Sequence, residues 1–196
     1  MISRKEIKLN AKKQLSGNWI LAILTLMCYK IFISYSNIGI NRDYRGLINL
    51  LILIFIGAIQ LGASRFILNL IRENDKAKFT DLFSGFDVFV KALILTVMIS
   101  IIISLGTILF VVPGVIFMIM FSQSYFILAD NKELSSIDCL IRSAKIMKNH
   151  KMEFFILILS FIGWYIGCIF TLGIGMIWLI PYYEVTLGNY YEQLDK

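Results

Sequence analysis

The fold is decided by one stretch, residues 91–129, KALILTVMISIIISLGTILFVVPGVIFMIMFSQSYFILA, in which Lys91 is the only charged residue. As a single helix it would be about 57 Å long at roughly 1.5 Å per residue, almost twice the ~30 Å hydrocarbon core of a bilayer. Residues 111–114, VVPG, lie near its middle, and a Pro-Gly pair is a strong turn signal. We therefore predict two membrane-spanning helices that meet at Pro113 and Gly114.

The composition of the whole chain also favours a membrane protein. Of its 196 residues, 58% are hydrophobic and only 16% are charged, whereas soluble domains average about 45–50% and about 25%. The predicted fold class is all-α: a polytopic membrane protein with six transmembrane helices in three hairpins, forming one integral membrane domain over residues 1–196. Four spans with re-entrant pieces are the alternative. The six predicted spans are residues 18–36, 47–70, 91–111, 114–129, 154–170 and 174–191.

Positively charged residues predict the orientation of these spans. Lys and Arg are concentrated in alternate connecting segments, which face the cytoplasm by the positive-inside rule. Both termini are then cytoplasmic in a bacterial plasma membrane. The first apolar run ends without a small-x-small cleavage pattern, so we expect it to be retained as a span. The cytoplasmic cations are Arg4, Lys5, Lys8, Lys12 and Lys13, then Arg72, Lys76, Lys78 and Lys91, then Lys132, Arg142, Lys145, Lys148 and Lys151.

Three cytoplasmic segments that precede spans are amphipathic. We predict that each forms a helix in the membrane interface, with its apolar side down and its lysines toward anionic headgroups. The clearest is residues 135–149, where Ser135 and Asp138 are predicted to form a capping box. The apolar faces comprise Ile7, Ala11 and Leu15 in the first segment, Leu82, Phe83, Phe86 and Phe89 in the second, and Ile137, Leu140, Ile141, Ala144 and Met147 in the third.

These segments also suggest an internal repeat. Gly17, Gly85 and Asn149 occupy matching places, 68 and 64 residues apart, and are residue types that tolerate the left-handed turn ending a helix. SRFIL at 64–68 and SYFIL at 124–128 are 60 residues apart. Three copies of one unit, interfacial helix, span, turn and span, would explain both patterns. The alternative is that any six-span protein with cytoplasmic loops alternates in this way.

Polar residues occur at similar depths in the first and last spans. Lys30 lies about 12 residues, roughly 18 Å, into the first span, and Glu184 lies about 10 residues, roughly 15 Å, into the last. Because charges inside a bilayer are costly, we hypothesise that Lys30 and Glu184 pair within the bundle. With Pro181, Tyr182 and Tyr183 they form a candidate intramembrane polar site. The alternative is that each charge snorkels alone and that Pro181 only kinks a packed helix.

A second candidate site would bind an anionic headgroup at the cytoplasmic face. Arg65 lies near the cytoplasmic end of the second span, and Arg72, Lys91 and Arg142 are its candidate partners. Snorkelling of Arg65 to lipid phosphate is the alternative. The predicted partners of the protein are therefore membrane lipids, mainly anionic ones.

The sequence shows no set of residues typical of catalysis. His150 is the only histidine, and Cys28, Cys139 and Cys168 form no CxxC pair. A Walker loop and a Ser-His-Asp set are also absent from the sequence. We therefore expect no enzymatic activity, no metal and no other cofactor. Cytoplasmic membrane flanks explain the net charge of +6, so nucleic acid is not an expected partner.

The C-terminal part of the chain resembles a known family. Residues 143–194, SAKIMKNHKMEFFILILSFIGWYIGCIFTLGIGMIWLIPYYEVTLGNYYEQL, are similar to the signature of the bacterial integral-membrane family known as domain of unknown function 975. The resemblance rests on Ser143, Met147 and Lys151, and on residues 159–164, 173–182 and 190–192. DLFSGF at 81–86 and VVPGVIF at 111–117 fit the family too. The resemblance implies multi-pass insertion in a bacterial plasma membrane and carries no activity.

A looser resemblance points to a lipid context. The Pro-Gly turn and the Ser-x-x-x-Met helix resemble the membrane domains attached to some bacterial glycerophosphodiester phosphodiesterases. This resemblance supplies no catalytic residue.

Two functions are compatible with the sequence. The favoured one is a non-enzymatic envelope protein that binds lipid or a partner, and a dry, tightly packed bundle would support it. The alternative is a small transporter or channel around Lys30 and Glu184, which a water-filled cavity reaching Glu184 would support. Gly163 and Gly167 form a small-xxx-small motif that could pack helices within one chain or between copies, so a homo-oligomer stays open.

Overall fold

The computed structural model describes residues 3–35, 45–73 and 76–194. Within these ranges the chain is helical and contains no strand, so the predicted all-α fold class is confirmed. The elements are α1 (Arg4–Leu15), α2 (Trp19–Tyr35), α3 (Arg45–Arg72), a 3₁₀ helix (Phe79–Val88), α4 (Phe89–Leu109), α5 (Val111–Phe121), α6 (Ser124–Asp130), α7 (Ser136–Ile146), α8 (Lys151–Leu159), α9 (Ile162–Phe170) and α10 (Met176–Leu194).

All six predicted apolar segments fall on helices, but the turn between the third and fourth segments lies earlier in the chain than predicted. The break lies at Phe110, in extended conformation, and not at Pro113 and Gly114 as predicted. Pro113 lies in the first turn of α5, where its missing N–H forfeits no helical hydrogen bond. Gly114 instead permits close packing of α5 on α4, because a Cβ built on it would lie 3.1 Å from the Cα of Thr107.

The described residues contain fewer candidate spans than the six predicted. Four segments are long and apolar enough to cross a membrane, namely Ile54–Arg72, Phe79–Leu109, Val111–Asp130 and Lys151–Phe170. A fifth would be formed if α1 and α2, which are bent by 106° relative to each other, count as one broken span. Within the described residues the protein thus has four or five candidate spans, and α10, whose second half is polar, is not among them.

The helix α3 lies at the centre of the bundle. Of its most apolar stretch of 18 residues, 67% is buried, compared with 17% for the corresponding stretch of the segment Phe79–Leu109. Phe66 and Leu70 of α3 are fully buried, and α3 contacts α2, α4, α6, α10 and the 3₁₀ helix. Burial of α3 against these neighbours places apolar side chains in one shared core and stabilises the fold.

The three amphipathic segments pack against helices of the bundle. α1 packs on α10, the 3₁₀ helix on α3, and α7 on α6. Ile7, Leu82 and Leu140, one from each segment, are buried, whereas Ile137 and Ile141 of α7 are exposed. Part of each predicted apolar face is therefore buried against other helices. Only the remaining exposed side chains are available to contact a membrane.

The ends of these segments correct two predictions. The predicted capping box at the start of α7 forms only in part: the Asp138 N–H donates to Oγ of Ser135 at 3.1 Å, but the Asp138 carboxylate accepts from the Ser135 hydroxyl and not from its N–H. Gly17 has the predicted left-handed conformation, with φ of +94°. The same prediction is wrong for Gly85, which lies within the 3₁₀ helix, and for Asn149, because Leu172 is the only described non-glycine residue with positive φ.

Candidate functional site

The structure brings Lys30 and Glu184 together, as hypothesised. Lys30 lies on α2 and Glu184 on α10, and Nζ of Lys30 is 2.5 Å from Oε1 of Glu184. Glu184 is only 8% exposed, whereas 33% of the Lys30 side chain is exposed. Nζ of Lys30 is also 5.0 Å from the centre of the Tyr29 ring. Mutual neutralisation removes much of the cost of holding either charge among apolar helices.

The rest of the predicted polar site is packed with aromatic rings. Pro181 is buried inside α10. The rings of Tyr182 and Tyr183 both contact Phe161, with centroids 5.5 and 5.2 Å away. The ion pair is therefore part of a packed helix contact, and its carboxylate does not line the cavity described below.

Arg65 turns into the protein. Its guanidinium is buried, and Nη1 donates a hydrogen bond to the Ser84 carbonyl of the 3₁₀ helix. Nη1 also lies 3.5 Å from the carboxylate of Asp87, which Lys132 approaches from the other side at 3.0 Å. Nε and Nη2 of Arg65 have no hydrogen-bond partner among the described residues. Arg65 thus fastens the 3₁₀ helix to α3.

Replacing Arg65 with alanine should lower the melting temperature, because the Ser84 carbonyl loses its donor and a gap opens beneath the 3₁₀ helix. A lost hydrogen bond to a charged donor costs about 1.5–3 kcal/mol, which corresponds to roughly 3–12 °C for a chain of this size. Thermal unfolding in detergent, followed by circular dichroism, measures the shift. Arg4→Ala, at an exposed position of α1, is the control and should change nothing. Equal melting temperatures for Arg65→Ala and the wild type would contradict the fastening role.

Arg72 joins three helix ends at one side of the bundle. Its Nη1 is 2.5 Å from Oδ1 of Asp130, and its Nε is 2.6 Å from Oε1 of Glu192. The Tyr191 hydroxyl donates a further hydrogen bond to Asp130, at 3.2 Å. The positive charge of Arg72 is therefore compensated by two carboxylates of the protein.

The remaining predicted headgroup ligands lie around the C-terminal end of α6. Nζ of Lys91 donates to the carbonyl oxygens of Lys132 and Glu133, at 2.7 and 3.2 Å. Arg142 lies within electrostatic range of Asp130. Cations are favourable at a helix C-terminus, where carbonyl groups lack partners. Headgroup binding by the four predicted residues stays a prediction, and much of their charge is already engaged by the protein.

A groove that the sequence did not predict lies between α1, α2, α9 and α10, with Ser160 just after α8 at its edge. Its volume is about 710 Å³, within the ~300–1,000 Å³ typical of small-molecule sites. Trp19, Trp164 and Trp178, the three tryptophans of the chain, all line it, and we call it the tryptophan groove. Leu179 and Tyr182 of α10 form part of its wall, so the groove is mainly apolar.

Two glycines of α9 line the tryptophan groove. No atom lies within 4 Å of a Cβ built on Gly163 or Gly167. The small-xxx-small motif therefore packs against no other helix among the described residues. It leaves open space beside Trp164, and a larger side chain at either position would occupy that space.

One edge of the tryptophan groove is basic. Lys12 lines it, and Lys8 lies one turn earlier on α1. Nζ of Lys8 is 3.4 Å from the Ser160 carbonyl oxygen and 4.2 Å from the centre of the Phe161 ring. Ser160 and Phe161 form the break between α8 and α9, and the Ser160 carbonyl can accept from a lysine there, whereas that of Phe161 accepts from the Tyr165 N–H.

His150 lies at the start of α8. Its Nδ1 is 3.0 Å from Oε2 of Glu153, and its carbonyl accepts a hydrogen bond from the Tyr190 hydroxyl at 3.0 Å. These contacts join α8 to α10 and are structural. No group of three or more His, Cys, Asp and Glu side chains that could hold a metal occurs in the described ranges.

The arrangement defines a class of protein, since an all-helical chain with four or five apolar helices of spanning length is typical of helical membrane proteins. Within that class, residues 1–120 and residues 108–196 match the family model described as Protein of unknown function (DUF975). The chain belongs to this family, and the resemblance in its sequence is confirmed. Comparisons with curated proteins and with solved structures gave no match.

Proposed function

We propose that this protein is a non-enzymatic membrane protein that binds membrane lipid in the tryptophan groove. The observation that carries the proposal is the groove itself: an apolar cavity of about 710 Å³ with three tryptophans in its wall. Acyl chains are the abundant apolar ligands inside a membrane, and tryptophan favours the boundary between hydrocarbon and headgroups. The lysines at one edge suit the position where an acyl chain meets its headgroup.

The proposal includes the topology predicted from the sequence. The protein is placed in the bacterial plasma membrane with six spans and both termini in the cytoplasm. A three-fold repeat is supported by two matching contacts between a returning helix and an amphipathic segment. Nδ2 of Asn69 on α3 donates to Asp81 of the 3₁₀ helix at 2.9 Å, and Nδ2 of Asn189 on α10 donates to Gln14 of α1 at 2.5 Å.

The ion pair favours binding over transport. Glu184 is buried and bonded to Lys30, with the rings of Tyr182 and Tyr183 packed beside it. A transport site needs a polar cavity that the solute and water can enter. Tyr182 lines the tryptophan groove, but neither Lys30 nor Glu184 does, so the ion pair and the cavity are separate features.

Filling the groove with a side chain should abolish lipid binding and leave the fold intact. Gly167→Leu puts bulk into open space and raises helix propensity, so its melting temperature should equal that of the wild type or exceed it. The measurement is quenching of tryptophan fluorescence by a phosphatidylcholine with brominated acyl chains, titrated into protein in detergent. The wild type should show a saturable phase at low lipid-to-protein ratio, and Gly167→Leu should lack it.

Two variants make this test quantitative. Gly167→Ala adds one methyl group and should weaken the saturable phase only partly. Val112→Phe adds bulk at an exposed position outside the groove and should leave the phase unchanged. Saturable quenching of equal strength in Gly167→Leu and the wild type would count against lipid binding in the groove.

A further inference from the structure

We infer that the tryptophan groove selects an anionic phospholipid, whose acyl chain lies along the tryptophans and whose phosphate lies between Lys8 and Lys12. This inference rests on the proposed lipid binding and specifies which lipid the groove takes and which residues select it. The observations behind it are the positions of the two lysines, their lack of carboxylate partners and the shape of the groove.

The two lysines can act on one phosphate. They are four residues apart on α1, and residues at this spacing share one face of a helix. Lys12 lines the groove, and Nζ of Lys8 lies 3.4 Å from the Ser160 carbonyl at its edge. A lysine ammonium has three donors, so Lys8 can keep this bond and still bind a phosphate oxygen.

The charge of these lysines differs from that of the other inward-facing cations. Lys30 is paired with Glu184, and Arg72 with Asp130 and Glu192. In contrast, neither Lys8 nor Lys12 forms an ion pair with a carboxylate among the described residues. Uncompensated positive charge beside an apolar groove is complementary to a ligand that has an apolar body and an anionic head.

A lipid fits this groove better than a helix from a second copy of the chain. The chain carries a net charge of +6, and a second copy that contacts the groove would bring more positive charge toward Lys8 and Lys12. A helix would also have to bury the uncompensated ammonium groups, which is costly without a partner. A phosphate supplies the missing negative charge, and one acyl chain can follow the open space beside Gly163 and Gly167.

Brominated lipids that differ only in their headgroup test the selection. The titrations compare phosphatidylglycerol with phosphatidylcholine carrying identical brominated chains, and tryptophan quenching reports binding of each. We expect the wild type to bind phosphatidylglycerol more tightly than phosphatidylcholine. In each of Lys8→Gln and Lys12→Gln, the ratio of the two affinities should fall about fivefold. The double variant should bind both lipids equally, and salt should weaken the preference of the wild type.

The matched control removes a lysine from the same helix without touching the groove. Lys13 is exposed and does not line the cavity, so Lys13→Gln changes the net charge equally and should keep the full preference. Lys12→Arg should keep it as well. All of these positions are exposed or half-buried, and thermal unfolding checks that each variant is folded.

The possible outcomes separate the two proposals. Saturable quenching of equal strength by both lipids would overturn the anionic selection and leave lipid binding in place. An equal loss of preference in Lys13→Gln and Lys12→Gln would also overturn it, because net charge alone would then explain the effect. Absence of saturable quenching by either lipid would overturn the proposed function itself. A lipid-free dimer in native mass spectrometry, separated by Gly167→Leu, would assign the groove to a second copy.

Discussion

Glu184→Lys should prevent stable folding of the protein, and Lys30→Glu introduced into the same chain should restore it. Each single reversal places two like charges within bonding distance inside the bundle, at the position where the wild type has a 2.5 Å ion pair. An uncompensated charge at the centre of a membrane helix costs roughly 3 kcal/mol, and repulsion adds to this. That total is a large fraction of the stability of a typical domain. The double reversal restores opposite charges on the same two helices.

The yield of monodisperse protein after detergent extraction, together with the melting temperature, measures this effect. Lys76→Glu provides a matched control, since Lys76 and Glu73 form a pair of the same length with both side chains more than half exposed. Exposed pairs contribute little, so this reversal should shift the melting temperature by only a degree or two. If Glu184→Lys folds as well as the wild type, or if the double reversal gives no recovery, the pair does not stabilise the bundle.

Gly62→Leu should destabilise the protein by about 3 kcal/mol or more, through separation of the 3₁₀ helix from α3. A Cβ built on Gly62 would overlap the backbone carbonyl of Leu82, and one built on Gly85 would overlap the carbonyl of Ala58. These are backbone atoms on both sides, so no side chain can rotate away to make room. The two elements must therefore move apart, and the buried side chain of Leu82 loses its contacts. We expect a fall in melting temperature of roughly 6–12 °C.

A buried thiol provides the measurement. Burial raises the pKa of the Cys139 thiol to about 11, so it should react with a maleimide only when the protein unfolds. Labelling against temperature, in a background with Cys28→Ser and Cys168→Ala, then gives the unfolding curve. Gly163→Leu is the matched control, because the same substitution there enters open space and should leave the curve unchanged. Equal unfolding curves for Gly62→Leu and Gly163→Leu would show that the contact between α3 and the 3₁₀ helix accommodates a leucine side chain without loss of stability.

Several features of the fold were predictable because their causes are local. Long apolar runs separated by charged loops predict helices, and all six predicted segments fall on helices of the structure. The N-cap bond between Ser135 and Asp138, which is half of the predicted capping box, depends only on residues three apart and was predicted correctly. The pairing of Lys30 with Glu184 followed from counting residues along two predicted spans, since helical rise converts position into an expected depth.

Predictions from the sequence failed where contacts between distant segments determine the local structure. Pro113 and Gly114 suggested the turn, but α5 already begins at Val111, so the proline lies within a first helical turn that accommodates it. Gly85 suggested a helix cap, but it allows the 3₁₀ helix to approach α3. The bond from the Arg65 guanidinium to the carbonyl of Ser84 was also not predicted, and headgroup binding by Arg65 stays a prediction. In each case the deciding contact comes from another element.

The tryptophan groove shows the limit of sequence reasoning most clearly. Trp19 and Trp178 are far apart in the chain, and neither carries a local signal of a shared cavity. The spacing of Gly163 and Gly167 was visible, but whether a helix or open space faces them depends on where α1 and α10 lie.

By itself the sequence determined the helical class and the family, because apolarity and motif are properties of contiguous residues. Only the tertiary structure decided which charges are compensated and where space remains. Compensation of Arg72 and the groove beside Lys12 both depend on the packing of helices distant in the chain. Packing of that kind results from many weak contacts acting together, and no short segment encodes it.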